Sequence, residues 1–259
     1  MKRILPLASR LFVLLVFCGL TGLAQTGALH VLASNGMREV LKDVTPQCQR
    51  AIGHPLAFVF DSTTGLKAKI AAGETFDAVV LTSDAVEELA SSGKVASAST
   101  TRIARCGIGI GIRKGAPRPD ITTSAALKQA LLKSRSITFA QDGASRVHIL
   151  EMFDKFGIAE AMKPKIMPEH GSVRSAGLVR DGKSDMVLTL ISEILPIEGV
   201  ELLGPLPKDV QSYVNFSAGT AVHPQNPEAA KAMIRFLTGP AAAPVYEAKG
   251  MEAVAGGGK

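Results

Sequence analysis

Four stretches of small hydroxyl and amide residues stand where an apolar run gives way to a helical pattern. Ser34-Asn35-Gly36 follows Leu29–Ala33, and Asp61-Ser62-Thr63-Thr64-Gly65 follows Leu56–Phe60. Asp142-Gly143-Ala144-Ser145 follows Ser136–Ala140, and His170-Gly171-Ser172-Val173 follows a run ending at Met167. Each joint offers side-chain donors and the unsatisfied N–H groups of a helix start, and such termini attract anions. Taken singly, each is equally an ordinary N-cap. Two in each half of the chain point to one neutral, donor-rich anion pocket beyond the strand ends. The residues expected to touch the ligand are Ser34, Asn35, Gly36, Ser62, Thr63, Ser145, Arg146 and Val173. Arg146 and Arg174 sit at helix starts, where a cation opposes the helix dipole and a carboxylate ligand would offset the penalty.

Catalytic signatures are missing. There is no Gly-x-Ser-x-Gly elbow, no P-loop and no His-Glu-x-x-His. Gly107, Gly109 and Gly111 alternate with isoleucines as in a strand, so they mark a hinge or a close backbone approach rather than a dinucleotide loop. For proton transfer the candidates are His148, His170 (beside Glu169) and Glu193; His148 also reads as a surface residue and His170 as a cap neighbour. Three cysteines exclude a disulfide scaffold and argue against structural zinc. Cys48 falls in a helix pattern and Cys106 in a strand pattern; two buried free thiols are expected, with pairing a matter of geometry. No cofactor and no metal is expected.

These joints need a framework. Helices are expected over Gly36–Ala51, Thr64–Ala72 and Asp84–Ser91, with a strand Ala78–Leu81 between the last two. Short joints between strand and helix mean parallel βα units. The β run Ile103–Ile112 then leads to a second series: helix Ala125–Lys133, strand Ser136–Ala140, helix Arg146–Phe156, strand Pro164–Met167, helix Val173–Arg180 and strand Asp185–Leu190. A β run Tyr213–Val222 and a helical region Pro227–Lys249 close the pattern, followed by a glycine-rich tail expected to be disordered. The fold expected is α/β, with two Rossmann-like parallel-sheet domains joined by a two-segment hinge. Domain I comprises 25–107 plus 216–259, and domain II 108–215.

Composition narrows the function classes. Aromatic residues make up 5% and Trp is absent, which argues against a base-stacking or sugar-stacking surface. Lys2, Arg3 and Arg10 precede the apolar run Leu11–Leu23, which ends in Gly22-Leu23-Ala24. That run is short for a membrane span and has the form of a secretory signal peptide, residues 1–24, cleaved after Ala24. Phe17 before Cys18 speaks against lipid attachment. The formal net charge of +6 drops to +3 without the segment's three basic residues, leaving 26 Lys+Arg against 23 Asp+Glu, and with it the case for nucleic-acid binding.

Nearly end to end, the remaining chain resembles the type II periplasmic solute-binding proteins, and within them the molybdate-binding-protein-like group. The resemblance lies in Val31–Ser34, Asp61–Leu66, Phe76–Leu81 with Ser83-Asp84, Ser172–Arg174, Val179–Asp185 and the C-terminal Asn226–Leu237 and Lys249–Ala253. Molybdate binders carry a tyrosine near the position of Leu190, so one oxyanion donor is missing. Ile191–Pro207 and Arg113–Ile121 are similar instead to a branch that includes aconitate isomerase. The resemblance implies a monomeric periplasmic protein that captures a small anion, an oxyanion or a di- or tricarboxylate, and closes by hinge motion, with an ABC permease as partner and no nucleic acid. An isomerase acting on an unsaturated tricarboxylate is the alternative. The arginines and the missing tyrosine favour a carboxylate.

Overall fold

The computed structural model describes residues 27–254; the expected signal peptide and the glycine-rich tail from Gly256 lie outside them. The first βα units are β1 (Leu29–Ser34), α1 (Arg38–Ile52), β2 (Leu56–Asp61), α2 (Thr63–Ala71), β3 (Ala78–Thr82) and α3 (Ser83–Ser91). Next comes the long strand β4 (Thr101–Arg113). The second series runs α4 (Ser124–Lys133), β5 (Ile137–Ala140), α5 (Arg146–Lys155), α6 (Ala159–Met162), β6 (Ile166–Glu169), α7 (Ser172–Arg180), β7 (Met186–Leu190), α8 (Ile191–Ile194) and β8 (Val200–Pro205). The chain ends with β9 (Tyr213–Thr220), α9 (Pro227–Leu237), α10 (Ala243–Ala248) and β10 (Met251–Ala253).

Strand order is β2-β1-β3-β9-β4-β7-β5-β6, with β8 and β10 also on β4. β1 pairs in parallel with β2 and β3, and β5 pairs in parallel with β6 and β7. The two parallel sets are the two halves of the α/β fold. Leu29, Val31, Leu32 and Ala33 of β1 are all fully buried, which is why that strand reads as a continuous apolar run rather than an alternating one. Both parallel sets end at the same cleft, because β4 and β9 run between them antiparallel to their neighbours.

β4 changes partners midway. Thr101 to Gly107 pairs with β9, and Ile108 to Arg113 with β7 and β8. At the change, the Gln211 side chain acts as a third strand edge. The Ile108 N–H donates to Gln211 Oε1 at 3.0 Å, and Gln211 Nε2 donates to the Ile108 carbonyl at 3.1 Å. The glycines of β4 serve close approach. A Cβ on Gly109 would lie 2.8 Å from Ile191 Cγ1, and one on Gly111 2.8 Å from Val187 Cγ1.

Several elements differ from expectation. Pro164 lies in a 3-10 turn over Lys163–Lys165, and the strand begins at Ile166. The C-terminal helical region is two helices, because Gly239-Pro240 interrupts it and proline cannot continue a helix. α6, α8, β8 and β10 are additional to the expected elements; α8 and β8 lie in a Pro- and Gly-containing stretch without clear periodicity. Both α9 and α10 pack on α1, so the chain's end returns to the first half. Cys48 and Cys106 are both free and buried.

Candidate functional site

The four joints converge. Ser34, Asn35, Gly36, Ser62 and Thr63 from the first half face Ala140, Asp142, Gly143, Ala144, Gly171, Ser172, Leu190 and Glu193 from the second. They enclose a cavity of about 20 Å³, room for about one water-sized group. Ser34 is buried in extended backbone before the first helical turn and makes no cap bond, so its hydroxyl proton is free to donate. Thr63 Oγ1 approaches Ser34 Oγ at 3.4 Å, long for a hydroxyl pair. Ser62 does cap α2: its Oγ accepts from the Gly65 N–H at 3.1 Å, which leaves its own proton for a ligand. A Cβ on Gly36 would lie 2.8 Å from Phe216 Cζ and 2.9 Å from Leu190 Cδ1, so only glycine fits the inner wall there.

The other half supplies a different mixture. Asp142 turns back and accepts from the Gly171 N–H at 2.8 Å, tying the third joint to the fourth and using one donor that an anion would want. Ser172 Oγ donates to Glu193 Oε1 at 3.0 Å, and Thr189 Oγ1 donates to Glu193 Oε2 at 2.5 Å. Glu193 keeps partial exposure, where it borders the cleft, yet protein surrounds it densely. That desolvation pushes its carboxyl up from the usual range against the two hydroxyl bonds, and Asp142 adds to the push.

Not every expected residue arrives. Ser145 is buried and borders none of these cavities; Ala144 lines the inner one instead. Arg146 is exposed, with Nε donating to Gln141 Oε1 at 3.4 Å, and it too borders none of the cleft cavities. Val173 is 65% exposed and faces an outer cavity of about 480 Å³ that shares Asn35, Gly171, Ser172 and Glu193 with the inner one. Arg38, Lys42, His170 and Arg174 line the same outer space. Arg38 lies over the Phe60 ring at 4.5 Å and donates to Asn35 Oδ1 at 2.5 Å, while Arg174 Nε donates to the His170 carbonyl at 2.7 Å. The sequence reading missed Arg38 and Lys42, although their i, i+4 spacing at the start of α1 puts both on one face. A third cavity, of about 300 Å³, shares Thr63, Asp142, Gly143 and Ala144 with the inner one and holds His148. Of the proton-transfer candidates, Glu193 alone borders the inner cavity; His170 is 72% exposed and His148 sits beside Glu151. Among the described residues no cluster of His, Cys, Asp or Glu is arranged to hold a metal ion.

Comparison with known proteins agrees with this architecture. The chain is 27% identical to aconitate isomerase of a Pseudomonas species over 234 residues, 87% of this chain and 88% of the relative. It is 25% identical to the molybdate-binding protein ModA of Azotobacter vinelandii over 250 residues, 93% and 96% of the two chains. The solved periplasmic molybdate-binding protein of Azotobacter vinelandii superposes with a TM-score of 0.71, covering 87% of this chain and 98% of that one, at 15% identity by superposition. The profile of the family described as bacterial extracellular solute-binding protein matches residues 29–252. With that match over most of its length, and two βα sets facing each other across a cleft, the chain belongs to the bacterial extracellular solute-binding protein family.

Proposed function

We propose that this protein is a monomeric periplasmic substrate-binding component of an ABC importer, and that it captures a small anion in the inner cavity. The observation that carries this is the convergence of hydroxyls and helix starts from opposite halves, with Ser34, Ser62 and Thr63 across from Gly171 and Ser172. The adjoining outer cavity carries Arg38, Lys42 and Arg174. A ligand with one carboxylate in the inner cavity and further carboxylates toward these cations uses both spaces. A di- or tricarboxylate is therefore favoured over a compact oxyanion, with Arg174 in the part expected of it and Arg38 in the part expected of Arg146. Domain I is 25–107 plus 216–259 and domain II 108–215; the change of β4 partners at Ile108 supports the first boundary, and the pairing of β9 with β4 from Tyr213 on moves the proposed return crossing from 215/216 to just before Tyr213. Closure brings Arg38 and Arg174 together from opposite sides. Export through residues 1–24 places the protein beside a permease.

A thermal-shift screen against citrate, both aconitates, molybdate, tungstate and sulfate tests this reading. A ligand at 100 times its Kd adds about 2.7 kcal/mol to stability. Stabilisation by tricarboxylates that exceeds that by molybdate is the expected result; stabilisation by molybdate alone refutes the carboxylate assignment.

A second reading, an isomerase of an unsaturated tricarboxylate, draws support from Glu193. It borders the cavity in a desolvated setting that raises its carboxyl above the usual range, as suits a group that takes up and returns a proton. Incubation with cis- or trans-aconitate in deuterated water, followed by NMR, separates the two: isomer conversion supports the enzyme, and binding without conversion supports the carrier.

A further inference from the structure

Glu193 has no obvious business in the wall of an anion pocket. Ionised, it would place a negative charge against the ligand it helps to enclose. Its setting supplies the alternative. Ser172 on α7 and Thr189 on β7 each hold one carboxyl oxygen, at 3.0 and 2.5 Å, so an acid proton on either oxygen remains free to point into the cavity. The charged or polar groups that share its cavities are Asn35, Arg38, Glu39 and Lys42 across the cleft, Asp142 at the third joint, His170 and Arg174 at the fourth and Ser192 on its own helix; Lys42 is paired with Glu39 at 2.9 Å. Arg38 is already held by Asn35 and Phe60 and makes no ion pair with Glu193 among the described residues, while Asp142, held by the Gly171 N–H, is a like charge that opposes ionisation of Glu193. The two hydroxyl bonds favour the charged form of Glu193, but no cation is paired with it among the described residues to offset the charge of an arriving anion.

We propose that Glu193 contacts the bound anion as a neutral acid, donating its O–H, so that ligand binding is linked to one proton on this carboxyl. The proton comes from solvent and returns to it on release; no covalent bond to the ligand changes. The proposal rests on the inner cavity being the anion site. It goes beyond that reading by making the protein's affinity proton-dependent and by giving the pocket a donor that it lacks when Glu193 is ionised.

Calorimetry with citrate, molybdate and sulfate as probes tests it, in buffers of differing ionisation enthalpy from about pH 5 to about pH 9. The probe's own protons are common to all variants, so the difference between wild type and Glu193→Gln reads this carboxyl. Wild type should take up as much as one more proton than E193Q at high pH, with affinity falling by up to about tenfold per pH unit relative to the variant. E193Q should bind with an affinity that does not fall with pH through this position, because the amide N–H donates at every pH. Thr189→Val leaves the carboxyl but removes a hydrogen bond to its charged form, and should move the wild-type fall in affinity to higher pH. That variant carries the test should E193Q fold poorly. Heat of binding with equal proton counts in wild type and E193Q, or an unmoved profile in Thr189→Val, overturns the proposal alone. No heat with any probe overturns the anion site and the proposal with it.

Discussion

Ser34→Ala and Ser62→Ala should separate ligand affinity from fold stability, although both remove one hydroxyl from the same cavity. Ser34 Oγ caps nothing, and its contact with Thr63 Oγ1 is 3.4 Å long, so its loss should cost the fold less than about 0.5 kcal/mol. Ser62 Oγ accepts from the Gly65 N–H at the start of α2, and losing an N-cap costs about 1 kcal/mol. In a chain of this size that is about 2–4 °C in Tm. Each hydroxyl that donates to a charged ligand contributes about 1.5–3 kcal/mol. Either variant should therefore weaken binding about tenfold to about 150-fold. Calorimetry for affinity and thermal melting of the free protein give the two numbers independently. Unchanged affinity in Ser34→Ala would place the anion elsewhere, and equal melting temperatures for the two variants would contradict the capping role of Ser62.

Asp77 is buried and accepts from the His30 N–H at 3.0 Å and the Asn226 N–H at 2.9 Å, pinning β1 and the start of α9 to the start of β3. Asp77→Ala strands both donors and should lower stability in urea unfolding by about 2–6 kcal/mol; a loss below about 1 kcal/mol would show that water replaces the carboxylate. Because Glu193 is raised in the folded state, the unfolded chain ionises first, and wild type loses stability as pH climbs from about 4.3 toward the folded value, by at most about 1.4 kcal/mol per pH unit. Glu193→Gln lacks this loss, so its melting temperature should rise relative to wild type as pH increases above about 4.3; parallel curves would contradict the shift. Cys48 and Cys106 are fully buried, and burial pushes both thiols up to about 11. Neither should react with a thiol reagent until denaturant is added, and labelling of the native protein would show that one is reached by solvent.

The α/β pattern, the helix starts and the four joints were legible in the residues themselves, because strand and helix periodicities and capping chemistry are local. Ser34, Asn35, Gly36, Ser62 and Thr63 could be named from their place at the ends of apolar runs, and they do line one cavity. The short strand β8 and the turn-length helix α8 escaped, since the first pairs only with the far end of β4 and the second packs over Gly109 and Gly111. Which face of a helix start looks into the cleft was equally out of reach. Arg146 and Arg174 occupy matching places in sequence, yet one points past the cavities and the other lines the outer one. The role of Glu193 belongs wholly to tertiary structure: its surroundings come from Thr189, Ser172 and Asp142, on separate elements of the second half. Desolvation and the sum of charges at a point depend on every atom packed around it, and no local spacing in the chain encodes that sum.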